Sequence, residues 1–250
     1  MLKIVVCMKR VPDTEARIRI AGSGTAIDPS GIKFVISPYD EFALETALRL
    51  KDAHGPAEVL AVSVGESTTG EQLRSALAMG ADGAVLLKGQ ATSDGLATAH
   101  ALAAEIREQE ADLVLLGMKA VDNDQQQVGP MLAELLDRPC ITVAASVALE
   151  GSVIVCERES EAGVEVVEAP LPAVVTITKG DFEPRYPSLK GIMAAKKKPL
   201  AEKDAQLAPG RIQVRELTPP PERPAGRIVG EGTAAVPELV RLLREEAKVL

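Results

Sequence analysis

Short apolar runs rich in β-branched residues recur along the first half of the chain, with stretches of helical patterning between them. The runs are Lys3–Met8, Glu58–Val64, Ala84–Lys88 and Asp112–Gly117. The spacing predicts helices from Ser37 to about Asp52, from Glu71 to Met79 and from Leu96 to Gln109. Strand and helix therefore alternate with a period of about 30 residues, the pattern of a parallel sheet joined by crossover helices. The expected fold is α/β with a mostly parallel sheet.

Local signals refine this outline. Ser37-Pro38-Tyr39-Asp40 opens the first helix, whose buried face carries Ala43, Ala47 and Leu50, with Leu44 and Leu48 beside it. Gly80 follows the second helix and is expected to be a left-handed cap. Between Val11 and Ile36, Pro12, Gly22, Gly24, Pro29 and Gly31 mark a loop, with a small hairpin expected between Arg17–Ile20 and Ile32–Ile36. Past Leu136 the texture changes. Ser152–Arg158 and Val164–Glu168 alternate apolar and polar residues around Glu161-Ala162-Gly163, which predicts a hairpin, and Ala173–Thr178 is a further buried strand. From about Leu200 the regularity is lost. Thr218-Pro219-Pro220-Pro221-Glu222-Arg223-Pro224 must run extended, and an amphipathic helix is expected over about Ala235–Ala247. An extended arm with one terminal helix folds poorly alone and is expected to pack on a partner chain.

Composition narrows the function. With 250 residues, 46% of them hydrophobic, the chain can bury a substantial core, but aromatics are only 2% and Trp is absent, so that core is aliphatic. A net charge of −8 argues against general nucleic-acid binding. Cys7, Cys140 and Cys156 are scattered and odd in number, which argues against a disulfide framework or zinc site. His54 and His100 are the only histidines, too few for a His-rich metal site, and both are expected at the surface. The N-terminus lacks a signal-peptide pattern, and no apolar run approaches the roughly 20 residues that span a bilayer. A soluble, cytoplasmic protein without membrane insertion is expected.

The candidate site is the polar stretch that follows the fourth apolar run, Gly117 to Gly129. In an open parallel sheet, ligands bind beyond the carboxyl ends of the strands. Backbone N–H groups at the start of the following helix attract phosphate. Asn123, Gln125, Gln126 and Gln127 offer amides for phosphate oxygens or an adenine edge. Gly129 permits close backbone approach and Pro130 suits a first helical turn. Asp122 and Asp124 would repel phosphate, so they are expected to cap backbone groups or to bind hydroxyls. The glycine-rich phosphate fingerprint and the P-loop are both absent, and residues alone leave open a plain helix-capping loop.

Several ordered blocks carry a wider likeness: "VVCMKRVPDTEARIRI", "SPYDEFALETALRLKD", "LRSALAMGAD", "LVLLGMKAVDNDQQQVGP", "LPAVVTITKGDFEPRYPSLKGIMAAKKKPL" and the Pro-rich arm. With these, nearly the whole chain resembles the β subunit of the electron transfer flavoproteins. The resemblance implies a Rossmann-like adenine-nucleotide-binding domain over residues 1–200, with a recognition loop at 183–198. It implies a C-terminal arm over 201–250 that packs on the flavoprotein α subunit. The implied task is to carry electrons from flavin dehydrogenases such as acyl-CoA dehydrogenases to a quinone-linked oxidoreductase, through FAD held mainly by the α subunit. The chain itself would then be an electron-carrier subunit and not an enzyme.

The resemblance also implies a structural AMP, or in an electron-bifurcating member a second FAD. Asn123 and Gln125 depart from the Asp-Gly-Asp-Thr pattern of the bifurcating branch, which favours AMP. The implied AMP site is Cys7, Ser37, Pro38, Tyr39, Asp40 and Val64, together with Asp122, Asn123, Asp124, Gln125, Gln126, Gln127, Val128, Gly129, Pro130, Met131, Leu132 and Ala133. Arg10, Val11, Pro12, Asp13 and Thr14 match the loop that leans toward the flavin of the α subunit. Thr14 stands where many relatives carry tyrosine, and Tyr39 matches an aromatic position near the same ring. Leu189 matches the leucine that docks partner dehydrogenases. Lys196-Lys197-Lys198 offers positive charge to an acidic partner or is a solvated run. A stand-alone adenine-nucleotide-binding module is the remaining alternative.

Overall fold

A computed structural model describes residues 1–89, 94–222 and 225–250. The chain divides into two compact units, Met1–Glu216 and Leu217–Leu250. In chain order the first unit holds β1 (Leu2–Cys7), β2 (Arg10–Pro12), β3 (Phe34–Ile36), α1 (Pro38–His54), β4 (Ala57–Gly65), α2 (Gly70–Met79), β5 (Gly83–Lys88), α3 (Gly95–Gln109) and β6 (Leu113–Gly117). It continues with α4 (Val128–Leu136), β7 (Cys140–Ala144), β8 (Ser146–Glu150), β9 (Val153–Ser160), β10 (Gly163–Pro170), β11 (Ala173–Ile177), α5 (Leu189–Ala195) and β12 (Leu200–Asp204). The second unit carries α6 (Val236–Glu245), preceded by one 3-10 turn.

Seven strands form one sheet in the order β12-β5-β4-β1-β6-β11-β7, and every adjacent pair in it is parallel. The central strand shows why it reads as an unbroken apolar run. Ile4 and Val6 pack with α1 and α2 on one face, while Val5 and Cys7 pack with α3 and α4 on the other. Strands covered on both faces need apolar residues at every position. Each such Val or Ile side chain contributes roughly 1.5–3 kcal/mol by leaving water. A separate antiparallel sheet, β10-β9-β8, closes one end of the α1 face through Ile154 and Cys156.

Several expectations need correction. The hairpin in the 11–36 loop pairs Arg10–Pro12 with Phe34–Ile36, and Ile20 bridges Ile27 instead of joining Ile32–Ile36. Gly80 has φ +146, outside the left-handed helical region, and its N–H closes α2 on Ala76 O. Leu200–Asp204, expected in an irregular arm, forms the sheet's edge strand against β5, so residues 200–216 belong to the first unit. β7 and β8 carry no alternation strong enough to be anticipated. Of the Pro-rich stretch, Arg223 and Pro224 lie outside the described residues, and residues 218–222 form neither helix nor strand. No helix among the described residues is long and apolar enough to cross a membrane.

Candidate functional site

The sheet order sets the place. From β1 the chain moves outward on one side to β4 and β5, then crosses back to β6 on the other side of β1. Such a reversal leaves a crevice beyond the strand ends. A cavity of about 270 Å³ opens there. Its walls are the residues from Cys7 to Arg10 at the end of β1, Val64 to Glu66 at the end of β4, and Leu116 to Ala120 at the end of β6. Gly95, Thr98 and Leu102 of α3 close one side, and Asn123 with Gln125 to Gly129 closes another.

Asp40 holds the floor together. It is 6% exposed and its two oxygens accept from Lys9 N and Gly117 N, both at 2.8 Å. One carboxylate thereby ties the ends of β1 and β6 to the first turn of α1. Burial pushes this carboxyl up to about 7, against the pull of those two N–H groups. Gly117 has to be glycine for this packing, since a Cβ there would sit 2.6 Å from Asp40 Oδ1 and 2.7 Å from Tyr39 Cβ. A Cβ on Gly129 would collide with Thr176 Cγ2, so glycine also lets the start of α4 lie close on β11.

Two helix N-termini face the cavity, and they differ. At α3 the Asp94 carboxylate accepts from Leu96 N at 2.9 Å and Ala97 N at 3.2 Å, so an anionic cap already fills that end. At α4 the N-cap residue, Gln127, makes no side-chain cap bond. The first-turn residues Val128 and Gly129, whose N–H groups lack intrahelical acceptors, line the cavity there. The loop before it is held in an unusual shape, with Asp124 at φ +50 and Gln126 at φ +54. Non-glycine residues in that region cost on the order of 1–3 kcal/mol each and gather at ligand sites.

The structure brings Cys7, Asp40, Val64, Asn123, Gln125, Gln126, Gln127, Val128 and Gly129 to the cavity wall. Ser37, Pro38, Tyr39, Asp122, Asp124, Pro130, Met131, Leu132 and Ala133 stand off it. The helical turn of α4 sends Leu132 and Ala133 into the core, with Met131 against it, and leaves Pro130 exposed. Among the described residues Asp122 and Asp124 meet lysines and cap no backbone group. Asp122 meets Lys9 Nζ at 2.6 Å and Asp124 meets Lys119 Nζ at 2.8 Å, so both serve to place cations at the rim. Ser37 Oγ is buried without a partner among the described residues. Cys7 is buried and its thiol is pushed up by that burial, so it stays protonated and acts as packing.

Lys9, Lys119, Glu66 and Thr69 also line the cavity without a motif to announce them, although each follows closely on a strand end, and Arg10, matched above to the flavin-facing loop, joins them. Arg10 lies 3.5 Å from the centroid of Phe34, with its Nε buried and unpartnered. Thr14 is exposed on the loop after β2, and Tyr39 sits in the first turn of α1 with Lys119 Nζ 6.0 Å from its ring centroid. Leu189 begins α5, and the expected 183–198 loop thus contains a short helix. Leu189 is 84% exposed. His54 and His100 are exposed.

The fold and the crevice define a Rossmann-like α/β protein with a strand-end cavity at the point where the strand order reverses. The family model described as "Electron transfer flavoprotein domain" matches residues 25–208. "Electron transfer flavoprotein subunit beta" of Bacillus subtilis is 42% identical over 260 aligned positions, covering all of both chains. The protein of the same name from Bradyrhizobium diazoefficiens is 40% identical, also over all of both chains. That of Mus musculus is 38% identical over 99% of each. The chain belongs to the electron transfer flavoprotein family and aligns end to end with its β subunits.

Proposed function

We propose that this chain is the β half of a heterodimeric electron carrier, with one adenylate, AMP, in the strand-end cavity. The observation that carries the AMP reading is the uncapped N-terminus of α4, which opens onto the cavity while that of α3 is filled by Asp94. The residues fit such a guest. Backbone N–H groups of α4 would take the phosphate, Lys9 and Lys119 would balance its charge from the rim, and the glutamine amides would bond the adenine or ribose. A cavity near 270 Å³ lies just below the roughly 300–1,000 Å³ usual for ligand pockets, room for a small guest such as a mononucleotide.

FAD held mainly by the α subunit would supply the redox chemistry that links a flavin dehydrogenase, such as an acyl-CoA dehydrogenase, to a quinone-linked oxidoreductase. The chain's own residues do no bond chemistry. The loop at Thr14 and the ring of Tyr39 face the α-bound flavin; Leu189 docks the electron donor; the arm after Glu216 packs on the α subunit. The exposure of Leu189 supports its docking role, because an apolar side chain in water gains by entering a partner's pocket.

The test is coexpression with the α subunit, acid extraction and cofactor counting. One FAD and one AMP per heterodimer is the expected result. Two FAD and no AMP would overturn the choice of AMP, and two colourless proteins that do not associate would overturn the carrier reading.

A further inference from the structure

α5 has seven residues, too few to hold a helix by themselves. Yet it presents Leu189 and Met193, 84% and 72% exposed, on the outside of the molecule. What holds it is a set of contacts with α2. Arg74, on α2, donates through Nη1 to Ala195 O at 2.7 Å and to Lys198 O at 2.9 Å, at and just past the end of α5. Lys198, just past α5, donates through Nζ to Leu77 O at 3.0 Å and to Ala81 O at 2.6 Å, at and just past the end of α2. The last carbonyls of a helix lack intrahelical donors and carry partial negative charge. Each helix end is therefore closed by a cation from the other element. At the opposite end of α5, Ser188 Oγ accepts from Gly191 N at 3.0 Å, and a Cβ on Gly191 would run into Ala78 O. The two elements touch backbone to backbone.

The lysine run is thus not uniform. Lys196 and Lys197 are exposed, whereas Lys198 is turned inward onto carbonyls. We propose that Arg74 and Lys198 are positioning residues: a reciprocal pair of cation caps that fixes α5 in the one pose that points Leu189 and Met193 at a docking flavin dehydrogenase. This rests on the docking reading of Leu189 given above. Neither cap touches the partner. Their effect is to spare the encounter the cost of ordering α5, so their loss weakens capture of the donor without slowing electron transfer once it is bound.

The experiment uses the heterodimer with its α subunit and a purified acyl-CoA dehydrogenase as donor. Lys198→Met keeps the length of the side chain and removes the cation. The expected result is amide exchange in residues 189–195 faster by about tenfold, with β1 and β6 amides unchanged. The KM for the heterodimer should rise by about fivefold at nearly constant kcat, because only encounter is affected. Lys198→Arg should restore both, and Lys197→Met should leave exchange as in the wild type. Arg74→Met repeats the test from the α2 side, should Lys198→Met fail to fold. Wild-type exchange across α5 in Lys198→Met, or an unchanged KM where Leu189→Ala raises it, overturns the proposal. A Leu189→Ala heterodimer with unchanged KM removes the docking reading instead, and the exchange measurement then still decides the caps.

Discussion

Gly117→Ala strikes the cavity floor where backbone and the Asp40 carboxylate crowd it together. The new methyl would lie 2.6 Å from Asp40 Oδ1, 2.7 Å from Tyr39 Cβ and 2.8 Å from Tyr39 C. All three atoms lie in the first turn of α1 and two are fixed by its backbone, so the carboxylate has to give way and β6 has to draw back from α1. Forcing a methyl into such a place costs about 1–3 kcal/mol. Pushing Asp40 aside also weakens the bonds it accepts from Lys9 N and Gly117 N, each worth about 1.5–3 kcal/mol for a charged acceptor. Partial relaxation offsets some of this, and a net loss of about 3 kcal/mol follows. For a chain of this size that is a fall in Tm of about 6–12 °C. Because β1 and β6 would part where the nucleotide is proposed to sit, bound adenylate should fall as well. The assay is thermal unfolding of the heterodimer beside nucleotide counting after acid extraction. Gly70→Ala is the matched control: nothing lies within 4 Å of its Cβ and its φ is −56, so it should stabilise by about 0.4–1 kcal/mol. A Gly117→Ala heterodimer with wild-type Tm and full nucleotide content would refute the account of the floor.

Asp40 gives a pH test whose sign is definite. Its folded-state pKa of about 7 lies above the ordinary 3.8, so its contribution is fully present below pH 4 and is lost as pH rises to 7. Asp40→Asn should therefore gain on the wild type between pH 4 and pH 7, by at most about 4 kcal/mol, in denaturant unfolding at a series of pH values; a constant difference across that range would refute it. Arg185 meets buried Glu45 at 2.8 Å through Nε and 3.1 Å through Nη2, and Asp52 at 3.0 Å. Arg185 is about one-third exposed and Arg49 Nε remains 3.5 Å from Glu45, so Arg185→Met should cost about 2 kcal/mol, less than a fully buried pair. A matched double-mutant cycle with Glu45→Leu should recover part of that loss, and an additive cycle would count against the pair.

Local pattern and tertiary placement divided the work along physical lines. The amino-acid sequence by itself determined the buried parallel strands, because β1, β4, β5 and β6 need apolar residues on both faces and so announce themselves as continuous runs. It determined the candidate segment too: a polar stretch directly after β6 lies at a strand end in any parallel sheet, and residues 123–129 do line the cavity apart from Asp124. Helical phase limited this, since the residues from Pro130 to Ala133 follow the turn of α4 away from the site. What only the tertiary structure decided depends on partners distant in the chain. Leu200–Asp204 is a strand because β5, more than 100 residues earlier, offers it an edge. Its mixed polar residues suit a solvated edge and carry no apolar run to betray it. Asp122 acquired Lys9 as its partner, and Lys198 acquired carbonyls, only when their elements were packed together. Periodicity encodes which way a residue faces within its own element. Which group meets it there is set by how the elements dock.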